Sequence, residues 1–106
     1  MKHTFKNQTA ATRNGFKHIS TLYIDGRQIA SATMYYYNRT WEAYQYRTSM
    51  RAATDKAMKQ IESKELDRYK AGHGYKRMTA QRVAAFRQHL HAIPEYAAYE
   101  DIYNAL

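Results

Sequence analysis

Cysteine is absent from this 106-residue chain, which removes disulfides and thiolate metal centres together. Proline occurs once, at Pro94. No apolar run approaches the roughly 18 residues that a membrane span requires. The opening MKHTFKNQTAATRNG is polar, with no apolar core of the kind a secretory signal carries. The expectation is one soluble, cytoplasmic domain, long enough to bury a core without staples. In that setting the triplets Asn7–Thr9 and Asn38–Thr40 read as turn chemistry and not as glycosylation acceptors. Glycine-rich phosphate loops, nucleophile elbows and Cys/His clusters are also missing, so neither a catalytic residue nor a cofactor is expected, and the chain does not read as an enzyme.

What is present in excess is positive charge and tyrosine. Seventeen Lys and Arg face nine Asp and Glu, a formal net charge of +8, and eleven residues are tyrosine. Between Arg68 and His91 lie six basic residues (Arg68, Lys70, Lys76, Arg77, Arg82 and Arg87), three histidines and no acidic residue. After Pro94 the sign reverses with Glu95, Glu100 and Asp101. A concentrated positive segment favours a polyanion such as nucleic acid, or an acidic protein surface. The aromatic run MYYYNRTWEAYQYR, residues 34–47, adds tyrosines beside Arg39 and Arg47.

The pattern predicts an α+β fold: a three-stranded antiparallel meander followed by two to three helices. Residues 1–15 lack periodicity and read as a flexible arm ahead of a single domain over 16–106. Asp25-Gly26 between two β-prone runs is the strongest short hairpin signal, because both residues tolerate the positive φ of a tight turn. A two-residue loop pairs Leu22 with Ile29, Ser20 with Ser31 and Phe16 with Tyr35. The small Ala30 and Ala32 leave room for a helix to approach. Asn38-Arg39-Thr40 reads as a second turn and TWEAYQYR as the third strand; a competing reading starts the helix at Trp41, since Glu42, Ala43 and Gln45 favour helix.

From Thr48 or Ser49, either a good N-cap, the period becomes 3.6, with Met50, Ala53, Ala57, Met58, Ile61, Glu65, Leu66 and Tyr69 near one stripe. Gly72-His73-Gly74 ends that helix. Thr79 caps the next, whose Val83, Phe86, Leu90 and Ile93 form an apolar stripe, and Pro94 opens a closing helix with Tyr96, Tyr99, Ile102, Tyr103 and Leu106.

His89 and His91, at i and i+2 on a helix, point apart and do not share a metal; helical ligand pairs normally stand at i, i+3 or i, i+4. No metal site is expected. The carboxylate pairs Glu62/Glu65 and Glu100/Asp101 read as surface ion-pair partners. Thr79-Ala80-Gln81-Arg82 is similar to the start of a base-reading helix, but the connector before it is longer than the three or four residues of a helix-turn-helix.

Residues 15–53, with the DG hairpin, the sequence YYNRTWE and a following helix, resemble a module of small phage and mobile-element proteins of Gram-positive bacteria. Some of these are similar to anti-CRISPR proteins, which inhibit the RNA-guided nuclease of type II systems. The resemblance implies a phage-encoded inhibitor acting in the cytoplasm of the bacterial host, with that nuclease or its guide-RNA complex as partner. The positive charge excludes mimicry of DNA. The expected contact residues are Arg39, Tyr44, Tyr46, Arg47, Arg68, Lys70, Lys76, Arg77, Arg82 and Arg87. The competing reading is a small regulator that binds DNA or RNA directly.

Overall fold

Residues 2–38 and 42–106 are described by a computed structural model. In chain order the elements are β1 (His3–Thr12), β2 (Gly15–Ile24), β3 (Arg27–Tyr36), α1 (Glu42–His73), α2 (Ala80–His91) and α3 (Pro94–Ala105). The fold is the expected α+β arrangement: an antiparallel sheet in the order β1-β2-β3, followed by three helices among the described residues.

The three strands are not the three expected ones. Residues 3–12, expected as part of a flexible arm, form β1, which pairs with β2 along its whole length from His3↔Ile24 to Thr12↔Gly15. Its inward residues Phe5, Asn7, Thr9 and Ala11 include one large hydrophobe only, so the alternation that identifies a strand is weak. The expected third strand is helix instead: α1 already includes residues 42–47, and Thr48 and Ser49 lie in its interior. The physical reason is the helical stripe, which extends backward through Tyr46, Ser49, Met50 and Ala53 at i, i+3, i+4 and i+7 and lays that face on the sheet.

The Asp25-Gly26 turn is as expected, with φ of 49° at Asp25 and 83° at Gly26. Its register carries one extra residue. Tyr23 pairs with Gln28 but Leu22 with Ala30, leaving Ile29 as a β-bulge. Side chains beyond it change faces, because the strand period is two. Ala30, Ala32, Met34 and Tyr36 thereby join Phe16, His18, Ser20 and Leu22 on the face under α1. The small Ala30 meets the equally small Ala53 and Ala57 of the helix in one cluster, which is the close approach expected. Replacing Gly26 with valine is expected to cost about 1–3 kcal/mol, since a β-branched residue does not adopt positive φ cheaply. Nothing lies within 4 Å of the added Cβ, so backbone strain alone carries the effect. An unchanged denaturation midpoint would show the turn relaxing into another form.

Gly15 is required for a different reason. A Cβ there would lie 2.5 Å from the Tyr36 carbonyl oxygen, so any side chain would push β3 away from the start of β2.

Two apolar clusters fill the interior. Leu22, Ile24 and Ala30 of the sheet pack with Ala53 and Ala57 of α1 and Tyr99 and Ile102 of α3. Farther along α1, Phe86 and Leu90 of α2 and Tyr96 of α3 pack with Leu66, Tyr69 and Met78. A helix of 32 residues spans about 48 Å at 1.5 Å per residue, and it sets the 50 Å length of the molecule. The sheet therefore occupies one half of α1 and α2 the other, while α3 runs along α1 from the Tyr96 cluster to the sheet, where Tyr99 and Ile102 pack. Thr79 caps α2 by accepting a hydrogen bond from the Arg82 N–H, and Pro94 opens α3.

A polar seam runs between α1 and the sheet. His18, Ser20, Ser49 and Thr54 are buried; the Ser49 hydroxyl bonds His18 Nδ1, and Thr54 donates to the Met50 carbonyl at 2.9 Å. Buried polar groups need such partners. On α3 the hydroxyls of Tyr96 and Tyr99 each donate to a carboxylate at 2.8 Å, Glu62 and Glu95 respectively. Burial, and then the bonded carboxylate, push both phenols up to about 12. Because the folded value lies above the unfolded one of about 10, their stabilisation is complete below pH 10 and is lost as pH rises from 10 to 12. Alkaline unfolding is expected in that window, and a Tyr96→Phe/Tyr99→Phe variant should show a shallower fall of stability there; an identical slope would contradict the assignment.

Candidate functional site

The corner between α1 and α2 gathers part of the basic segment. Tyr75 N–H donates to the Lys70 carbonyl at 2.9 Å, folding the connector back over the end of α1. The Arg82 guanidinium lies 3.8 Å above the Tyr75 ring and donates to the Arg77 carbonyl at 3.1 Å. Such stacking holds a guanidinium in place while leaving its edge open. Lys70, Lys76 and Arg77 make no ion pair among the described residues, and Lys76 and Arg77 are exposed.

Arg68 and Arg87 do not join this corner. Arg68 stands about 200° around α1 from Lys70 and pairs with Glu65 at 3.5 Å. Arg87 is turned roughly 140° from Arg82 on α2 and borders an apolar groove with Glu62, Leu66 and Val83. Glu65 also faces His89 at 3.3 Å, and His91 faces Glu100 at 3.2 Å, so the two histidines address different carboxylates. These are partly exposed pairs, each contributing about 0–1 kcal/mol.

The remaining expected contact residues lie elsewhere. Arg39 is outside the described residues, as is the Tyr44 side chain, although residue 44 belongs to α1. Tyr46 is half-buried: its ring meets His18 edge-on at 4.0 Å and its hydroxyl lies 3.2 Å from that of Thr9. It packs between helix and sheet and is not on the outer surface. Arg47 is exposed near Arg51 and Tyr103, but about 34 Å along α1 from Lys70. The tyrosines at the end of β3 and just beyond it alternate in burial. Tyr36 is buried and stacked on Phe16, while Tyr35 and Tyr37 are 71% and 82% exposed beside Arg13 and Asn14.

One surface was not anticipated. No described helix covers the outer face of the sheet, which presents four rows read across β1, β2 and β3: Thr4–Tyr23–Gln28, Lys6–Thr21–Ser31, Gln8–Ile19–Thr33 and Ala10–Lys17–Tyr35. Thr21 and Ser31 share a hydrogen bond of 2.9 Å across that face. It contains no acidic residue. The sign is general to the sheet half, where Lys2, Lys6, Arg13, Lys17 and Arg27 face Asp25 alone over residues 2–38, and the Asp25 carboxylate accepts from the Lys2 backbone N–H at 3.0 Å. The signal in the sequence was the period-two polar series Thr4, Lys6, Gln8, which reads as a strand face only once residues 3–12 are taken as a strand.

No protein-family model, no curated protein and no solved structure matches this chain.

Proposed function

We propose that the protein is a non-enzymatic nucleic-acid-binding protein whose α1–α2 corner makes phosphate contacts. The observation that carries this reading is the unneutralised set Lys70, Lys76 and Arg77 beside an Arg82 held in place by Tyr75. Cations that lack a carboxylate partner meet phosphate without first breaking an ion pair, and Arg82, already held against Tyr75, loses little freedom in doing so.

A second reading keeps the inhibitor implied by the resemblance: a phage protein that docks on a guide-RNA-loaded nuclease in the bacterial cytoplasm. Its support is the exposure of Tyr35 and Tyr37 beside Arg13, residue types that dominate protein-binding hot spots. Titration of the purified protein with labelled duplex DNA, single-stranded DNA and RNA, alongside capture from host lysate with and without nuclease treatment, separates the two. Direct binding to a free nucleic acid supports the first reading. Capture of a protein or its RNA complex, with no affinity for free nucleic acid, supports the second.

A further inference from the structure

Resting on the nucleic-acid reading, the geometry points to a particular surface and a particular ligand: the uncovered face of the β1-β2-β3 sheet lies in the major groove of duplex DNA. Lys6 and Lys17 would engage phosphates, and Gln8, Thr21 and Thr33 would face base edges.

Charge comes first. The face carries two lysines and no acidic residue, and its polar residues are Thr, Ser and Gln, which offer donors and acceptors without fixed negative charge. Lys6 and Gln8 are exposed on β1, and Thr33 on β3. In register, Lys6 on β1 and Lys17 on β2 stand at diagonally separated rows, either side of the Gln8–Ile19–Thr33 row. That places Lys6 on an edge strand toward one wall of a groove and Lys17 on the central strand, two rows along and within a lysine's reach of either wall, with uncharged hydrogen-bonding groups and one apolar side chain between them. Gln pairs with adenine edges, and Thr and Ile make apolar contact with thymine methyl groups, all in the major groove.

Size points the same way. Strands about 4.8 Å apart put the axes of β1 and β3 roughly 10 Å from each other across β2, comparable with the roughly 12 Å width of the B-form major groove. The deep, narrow major groove of duplex RNA does not admit a sheet. A platform for single strands would carry aromatics at its centre for stacking bases; here Tyr23 and Tyr35 occupy the first and last rows, and Ile19 and Thr21 the middle. DNA duplex is therefore the ligand that fits both shape and side chains. Covering α1 occupies the opposite face, through Tyr46, Ser49 and Met50 against Thr9, His18 and Asn7, so the fold holds the outer face rigid from behind.

The test uses the full chain and fluorescence anisotropy against a random-sequence DNA duplex about two helical turns long, its RNA duplex counterpart and the single strands. Wild type is expected to prefer the DNA duplex by more than about tenfold. Lys6→Glu/Lys17→Glu should weaken that binding by more than about tenfold and reduce the log–log salt slope by about two, one per phosphate contact. Arg51→Glu/Lys59→Glu, the same change of charge on the side of α1 turned away from the sheet, should weaken it several-fold less. Gln8→Ala should relax base preference at one position when sites are selected from a random pool. Circular dichroism establishes that each variant is folded, and Lys6→Gln/Lys17→Gln repeats the test should the reversal variant unfold. Equal losses from the two double reversals, or equal affinity for RNA duplex or single strands, would overturn this inference while leaving nucleic-acid binding in place. Absence of binding to every nucleic acid by wild type would overturn both.

Discussion

Replacing Phe86 with alanine is expected to lower stability by about 3–5 kcal/mol, among the largest effects of any single change in the chain. Phe86 is 7% exposed and, with Leu90 and Tyr96, forms the cluster that fastens α2 to the distal half of α1. Its ring lies 5.3 Å from that of Tyr69, an aromatic contact that adds to the area it buries. The ring fills the space between α1 and α2 among Leu66, Tyr69, Met78 and Leu90, so its removal leaves a cavity at that junction. For a domain of this size the loss corresponds to a fall in Tm of more than about 12 °C, at about 4–8 °C per kcal/mol. Denaturation with two probes would measure it. Full stability combined with lost partner binding would make the α2 stripe an interface.

The second large effect is on affinity. Lys76→Glu/Arg77→Glu should leave folding intact, because both side chains are exposed and neither makes an ion pair among the described residues. Binding to nucleic acid should weaken by well over tenfold, since each charge-assisted contact contributes about 1.5–3 kcal/mol and reversal adds repulsion. The salt slope should become shallower by about one to two units. Unchanged binding in this variant would remove the α1–α2 corner from the contact site, and capture of a protein partner that is lost on replacing Tyr37 would favour the inhibitor reading.

How much of this was legible in the residues depends on whether the signal was local. Asp25-Gly26, Thr79 and Pro94 act through their own φ or their own hydrogen bond, and each marks a turn or helix start where expected. The bulge at Ile29 is different: nothing in the hairpin sequence requires it, and it appears once α1 must rest on Ala30 and Ala32. Likewise β1 is a strand because β2 offers it an open edge, not because of its own sparse alternation. The start of α1 lay in a stretch whose tyrosines suit a strand, and contact with the sheet decided for helix. In the basic segment the angular separation of Arg68 from Lys70 follows from helical spacing alone. The stacking of Arg82 on Tyr75 and the reach of Glu65 to both Arg68 and His89 needed the folded corner.

Binding of the wild-type chain to a DNA duplex as salt is raised from about 50 to about 200 mM tests the central claim most directly. A protein that meets phosphates with Lys6, Lys17, Lys76, Arg77 and Arg82 should show a log–log slope steeper than about −3, each neutralised phosphate contributing about −0.9. A slope near zero, or no binding at the lowest salt, would contradict it.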